Sequence, residues 1–250
     1  MDFLDNDIKN FEPISLKEMD SVLLMKRVDT KFVFNRKLLE KLFAQLINHY
    51  KLLNIDGTVK SKYKSLYFDT IDFNFFLNHH NGKLNRSKVR FREYIDSKIS
   101  FLEVKRKNSK GKTIKNRIKV DSISTHLTDT QKKFIKSKLE RVGELFYCHK
   151  NFFRRITLVN KILKERITID FDLEFENEKQ KIVDKTNYIV IAEVKQEKTN
   201  RNSFFYKLMK ENNIRPSSMS KYCIGTSLFN KDLKANRFKK NFRILEKNNN

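Results

Sequence analysis

Five segments of this chain alternate charged and apolar residues with a period of two, and each puts Arg, Lys and carboxylates on one side. In Arg166-Ile167-Thr168-Ile169-Asp170-Phe171-Asp172-Leu173-Glu174-Phe175 every even position is polar and every odd one apolar. Val89–Arg92, Phe101–Lys105, Ile114–Lys119 and Ile191–Lys195 follow the same rule. Side chains alternate faces along a strand, so each segment has one apolar face and one ionic face. The ionic faces combine two chemistries. Arg and Lys bind phosphate oxygens, Arg bidentately. The carboxylates Glu103, Asp170, Asp172, Glu174 and Glu193 suit a hard divalent metal that bridges neighbouring phosphates. Metal-assisted phosphoryl transfer asks little more of a protein than positioning and charge neutralisation. The plainer alternative is a web of cross-strand ion pairs. Such a web adds little stability, because desolvation offsets much of the Coulomb attraction. Buried charge in this quantity therefore points to a ligand.

The charge balance agrees. There are 54 Lys and Arg against 30 Asp and Glu, a formal charge of +24. That excess predicts a polyanionic partner: nucleic acid, an anionic membrane or a polyphosphate-type ligand. Much of the Lys excess falls in loops and on expected outer helix faces, but the strand-borne Arg does not. Single-strand binders stack bases on aromatics that share the basic face. Here Phe32, Phe34, Phe91, Phe171 and Phe175 fall on the face opposite the strand cations, so a specific nucleic-acid partner is not expected. Other chemistries fail on spacing. Gly111-Lys112-Thr113 ends like a Walker loop, yet Arg106 stands where that motif needs glycine. His79-His80 has no third ligand nearby and reads as a surface loop pair. Cys148 and Cys223 lie far apart and read as free buried thiols.

The elements that must position these residues follow in order. Ser15 and Glu18 form a capping box for a helix through Lys26, with Met19, Val22 and Leu23 inward. A strand at Arg27–Phe34 carries Arg27, Asp29 and Lys31 on one face. Asn35 caps a helix reaching Tyr50. Tyr63–Asp69 is a strand, Asn81-Gly82 a turn, and Asn108–Gly111 the loop of a hairpin. A helix spans Thr130–Val142, strands span Phe152–Val159, Arg166–Phe175 and Tyr188–Lys195, and helices cover Ser203–Asn212 and start at Ser220. With no internal repeat, no Gly/Ser-rich linker and only 2 Pro, the expectation is one domain over 1–250, with its core at about 15–230 and a basic tail at 231–250. The expected fold is α+β: about eight antiparallel strands forming a tunnel or barrel with the ionic faces inside, flanked by helices. The amino terminus does not read as a signal peptide and no apolar run approaches ~18 residues, so a cytoplasmic location is expected.

Taken in order, Arg27-Val28-Asp29-Thr30-Lys31-Phe32, Leu66-Tyr67-Phe68-Asp69-Thr70, Val89-Arg90-Phe91-Arg92, Leu102-Glu103-Val104-Lys105, Arg166-Ile167-Thr168-Ile169-Asp170, Ala192-Glu193-Val194-Lys195 and Ser220-Lys221-Tyr222 resemble the VTC domain. That is the catalytic domain of polyphosphate polymerases, within the triphosphate tunnel metalloenzymes. The resemblance implies an eight-stranded tunnel that binds ATP or another nucleoside triphosphate, and inorganic polyphosphate. It implies Arg90, Arg92, Lys105 and Arg166 at the reacting phosphates, with Arg27, Lys31, Lys115, Arg117, Arg155, Lys195, Ser220 and Lys221 binding the rest. Strand phase favours Arg155 over Arg154, and Lys115 and Arg117 remain alternatives for one family position. Glu193 is implied as the principal ligand of Mn²⁺ or Mg²⁺, with Glu103, Asp170 and Asp172 as further carboxylates. The eukaryotic polymerases carry one more Lys where this chain has Ser218. Polymerase, inorganic triphosphatase and non-catalytic binding module all remain open at this stage, and any coupling to transport implies a membrane-protein partner.

Overall fold

A computed structural model describes residues 4–20, 27–139, 141–182, 186–239 and 242–243. The chain opens with short helices α1 (Asp5–Ile8) and α2 (Leu16–Asp20) around a two-residue strand, β1 (Pro13–Ile14). Ser15 and Glu18 make the expected capping box: each accepts the other's backbone N–H, at 3.2 and 2.9 Å. The remainder of that helix, with Val22 and Leu23, lies outside the described residues. β2 (Val28–Asn35) leads into α3 (Arg36–Phe43), which Asn35 caps by accepting the Lys37 N–H. The helix ends earlier than its apolar stripe predicts. After a 3₁₀ turn at Ala44–Leu46, Tyr50 begins β3 (Tyr50–Leu53). The buried Tyr50 ring donates its hydroxyl to Glu165 at 2.6 Å, and that tertiary bond holds the segment extended.

β4 (Ser61–Asp69), α4 (Asn74–His80), β5 (Arg86–Tyr94), β6 (Ile99–Lys107) and β7 (Thr113–Val120) follow as a meander. His79 and His80 are not a surface loop pair but the last turn of α4, where His80 is buried and its Nε2 lies 2.6 Å from Asn236 Oδ1. α5 (Asp129–Lys138) starts at a Thr128–Gln131 capping box and stops where Leu139 turns extended into the core. Next come β8 (Phe146–Asn160), β9 (Glu165–Glu176), β10 (Lys181–Ile182) and β11 (Ile189–Gln196), then α6 (Phe204–Glu211) and α7 (Lys221–Phe229). β8 begins six residues before the expected strand, because its first half points His149 and Asn151 inward and breaks the alternation.

Eight strands form one continuous path, β2-β11-β9-β8-β4-β5-β6-β7, with every pairing along it antiparallel. The sheet curls so that its ionic face becomes the inside. Among the described residues β2 and β7 do not pair, so the curled sheet is an open tunnel. The apolar outer face is covered in two places. α3 and α6 bury Phe32, Phe34, Phe171 and their neighbours on one side, while α4 and α5 cover Phe91, Leu102 and Val104 on the other.

One irregularity re-aims part of the inner face. Phe152 pairs with Glu174 but Arg154 with Phe171, so β9 carries an extra residue, and Asp172 there adopts a left-handed φ of 51°. A bulge of this kind turns the strand. Beyond it Leu173 and Phe175 join Phe153, Val33, Ile189 and Ile191 against Ile224 of α7. α7 therefore packs on an apolar floor at one end of the tunnel. The approach is close: a Cβ at Gly225 would lie 2.0 Å from His149 Nε2 and 2.8 Å from Phe175, whereas one at Gly143 meets nothing within 4 Å. Gly225→Ala is expected to destabilise the protein by about 1–3 kcal/mol through overpacking, with Gly143→Ala near neutral. Thermal melts of both variants check this; equal melting temperatures would mean that α7 is not seated on His149.

Candidate active site

The curled sheet encloses a cavity of about 880 Å³ lined by 13 Lys and Arg and only five Asp and Glu. The strands deliver these groups in the order their phase dictates. Inward-facing along β5 are Lys88, Arg90 and Arg92; along β9, Arg166, Thr168 and Asp170; along β11, Glu193 and Lys195.

Two carboxylates hold the cations in fixed places. Glu103 on β6 is fully buried; it accepts two hydrogen bonds from Arg90, at 2.8 and 2.6 Å, and pairs with Lys115 of β7. Asp170 on β9 accepts two from Arg155 of β8, at 2.5 and 2.8 Å, and one from Lys221 of α7. Burial raises each acid's pKa, but Arg90 and Lys115 around Glu103, and Arg155 and Lys221 around Asp170, more than reverse it and hold both ionised. Each therefore acts as a counter-ion beneath two cations.

Lys105 and Arg92 have no such partner among the described residues, and Lys221 is strained even with one. Lys105 makes no hydrogen bond or ion pair among the described residues, and Arg90, then burial, hold its pKa well below the ordinary value. Arg92 bonds only Ser65 Oγ, at 3.2 Å, and burial followed by Arg90 brings it down to about 10. Lys221 is lowered to about 8, by burial and then by Arg155, against the pull of Asp170. Cations that repel one another in a wet cavity are a preformed anion site.

The rest of the expected site gathers around the same cavity. Lys31 donates to the Met219 carbonyl at 3.0 Å, and Lys88 to Ser220 Oγ at 2.9 Å; Ser220 also caps α7 by accepting the Cys223 N–H. Arg117 lays its guanidinium 4.4 Å over Phe101. Arg166 reaches toward Met19, and Arg27 pairs with Asp29 at 3.1 Å on a more exposed edge. Arg155, not Arg154, faces the cavity, as strand phase predicts.

Two expectations need correction. Asp172 does not share a face with Asp170; the bulge turns it away, and it is held by Arg36, at 2.6 Å, and by Arg154. The aromatics are not all in the outer core either. Phe175 lies inward past the bulge, and Tyr63, Tyr67, Tyr94 and Phe101 line the cavity among the guanidinium groups.

Asp29 is a cavity-lining carboxylate that the sequence reading left unassigned. It pairs in register with Lys195, while Glu193 pairs with Lys31, so the two carboxylates lie diagonally across β2 and β11. Burial raises the Asp29 pKa, Lys195 opposes this and the Glu193 charge adds to it. Glu193 is held well below its ordinary value, where Lys195 and Lys31 outweigh burial. Two neighbouring carboxylates offer hard oxygen donors of the kind Mg²⁺ or Mn²⁺ takes when substrate phosphates complete its shell. The residues present fit such an ion. The sequence signal was the alternation Arg27-Asp29-Lys31; the register that brings it to Glu193 was not readable.

An open antiparallel tunnel with a cationic interior defines a triphosphate tunnel protein. The VTC domain matches residues 26–230, and the chain belongs to that family. A putative adenylate cyclase from Bacillus halodurans has a similar structure, with a TM-score of 0.51 at 14% identity over 85% of this chain and 97% of that one. The putative adenylyl cyclase HpAC1 from Hippeastrum, described as having a dominant triphosphatase activity, gives 0.49 at 14% identity over 81% and 96%. No curated protein matches the sequence. The family match spans every strand of the tunnel, β2 through β11.

Two outcomes follow from the charge arrangement. Arg92→Ala removes a cation that no carboxylate needs, so anion affinity should fall while the melting temperature holds or rises. Arg90→Ala strips buried Glu103 of two hydrogen bonds and should lower stability by about 3 kcal/mol or more. Comparing melts with tripolyphosphate titrations separates the two, and an equal loss of stability in both variants would refute the distinction. Lys221 gives a pH signature. Its protonated form binds anions and is lost above about pH 8, so metal-free tripolyphosphate affinity should decline there by up to about tenfold per pH unit. Lys221→Arg should abolish that decline; a flat wild-type profile would show that Lys221 does not contact the anion.

Proposed function

We propose that this protein transfers the terminal phosphoryl group of a nucleoside triphosphate onto a growing polyphosphate chain inside the cavity. The observation that carries the reading is the set of cations with no carboxylate counter-ion, Arg92 and Lys105 above all, standing beside cations that Glu103 and Asp170 lock in place. Fixed cations orient the phosphates. Unneutralised ones favour the charge spread over the transferring group, where electrostatic stabilisation does most of the work. Glu193 with Asp29 would hold a divalent ion, which supplies further neutralisation between adjacent phosphates when bound. No protein nucleophile takes part in this scheme: a terminal oxygen of the bound chain attacks the γ-phosphorus, its bond to the β–γ bridging oxygen breaks, and the nucleoside diphosphate leaves.

One observation favours a second reading. α7 and its apolar floor occupy one end of the tunnel, which restricts the room for a long chain and suits an inorganic triphosphatase with water as acceptor. No helix among the described residues is long and apolar enough to cross a membrane.

Purified protein incubated with ATP and Mn²⁺, resolved by electrophoresis and assayed for orthophosphate, separates the readings. Products longer than three phosphates are expected. Orthophosphate alone would establish the hydrolase, and neither product, with tripolyphosphate still bound, a binding module. Glu193→Gln should lose turnover yet retain metal-free tripolyphosphate binding, since the amide keeps the shape but drops the charge that fixes the ion. Normal metal-dependent turnover in that variant would place the ion on other residues.

A further inference from the structure

The inner wall changes character along its length. On β5 the inward residues run from Lys88 through Arg90 and Arg92 to Tyr94, and on β6 from Lys105 through Phe101 to Ile99. On these two strands the wall is cationic near α7 and aromatic and aliphatic at the other end, where Lys62 and Asp96 also line the cavity and Arg27, Arg166 and Lys195 stand on or beside the strands opposite. Ile99 and Leu16 line the cavity there while remaining 37% and 46% exposed, and Leu53 and Ile55 stand with them. Apolar surface open to a cavity full of cations gives a phosphate nothing to bind. It suits the flat, uncharged part of a ligand whose phosphates lie deeper.

Tyr94 is the side chain shaped for that contact. Tyr63 lies 5.1 Å away at 60° and Phe101 6.0 Å away at 85°. Neither ring is parallel to Tyr94, so both make edge contacts with it and neither forms a parallel stack. Phe101 is a poorer candidate, because the Arg117 guanidinium already sits over its ring. At about 3.4 Å per residue, Tyr94 stands about 7 Å beyond Arg92 and about 14 Å beyond Arg90 along the strand. A nucleotide with its terminal phosphates between Arg90 and Lys105 spans that interval with its first phosphate and ribose.

We propose that Tyr94 is the stacking platform for the nucleobase of the donor nucleotide, at the end of the cavity remote from α7. This rests on the nucleoside triphosphate reading above and adds the part of the substrate that the cations do not touch. Stacking on a ring face reads a plane and not an edge, so the subsite accepts any base and separates nucleotides from inorganic polyphosphate.

Calorimetric titration of the full chain with ATP and with inorganic tripolyphosphate tests this. Tyr94→Leu should weaken ATP about tenfold, the order of one base–aromatic stack, and leave tripolyphosphate within about twofold; Tyr94→Phe should restore ATP. Tripolyphosphate binding doubles as the check that the variants fold. The chain contains no Trp, so Tyr94→Trp also provides a single indole whose fluorescence ATP should quench and tripolyphosphate should not. Equal loss for both ligands, or unchanged ATP affinity, would overturn the subsite. ATP binding that depends on Tyr94 without any turnover would sink phosphoryl transfer alone. Turnover indifferent to Tyr94 would sink only the subsite, and no ATP binding by the intact chain would overturn both.

Discussion

The repulsion among cations gathered on one concave sheet is the constraint around which this structure is arranged. Register places Lys105 directly opposite Lys115, and Arg90 beside Arg92 one strand repeat away. Like charges facing each other across strands are destabilising. The chain meets this with few carboxylates, each shared. Glu103 serves Arg90 and Lys115, and Asp170 serves Arg155 and Lys221. Each acid is thus both a structural cross-link and a positioning device. The charge left over is the binding capacity of the cavity.

That excess is tolerable only because the other face of the same strands is strongly apolar. Phe91, Leu102, Val104, Ile167, Ile169 and Phe171 alternate with the ionic residues and are all buried beneath helices. Burying side chains of this size contributes roughly 1.5–3 kcal/mol each relative to exposure. The outer face therefore offsets the electrostatic cost of the inner one, and the period of two couples them residue by residue. α7 closes the arrangement. It seats Ile224 on the apolar floor made by the β9 bulge, and from that anchor presents Ser220 and Lys221 to the cavity.

The inner surface is graded more than uniform. Acid pairs and cations share its middle, the neighbouring Asp29 and Glu193 carboxyls occupy the β2–β11 side, and on β5 and β6 rings with an aliphatic side chain occupy the end away from α7. Such a gradient separates the tasks of holding phosphates, holding a cation and holding an uncharged group. One curled sheet carries all three because neighbouring strands enter the layer at different residues.

The sequence by itself determined the alternation, and with it the strands, their two faces and most of the cavity-lining cations. Those properties are local: side-chain direction follows from strand phase, and phase from a count of two. Arg155 over Arg154 was decided in this way. What the sequence could not contain was anything set by register or by contacts distant in the chain. A one-residue bulge removed Asp172 from the cavity and turned Phe175 toward α7, with no mark in the alternation of Arg166–Phe175. Asp29 gained its meaning only from pairing with β11, some 160 residues later. β3 formed because Tyr50 found Glu165, overriding the helical stripe before it. The aromatic end arose because Tyr63, Tyr94 and Phe101, unremarkable on separate strands, were brought together by cross-strand pairing. Local pattern chose the faces; only tertiary pairing decided which residues on those faces meet.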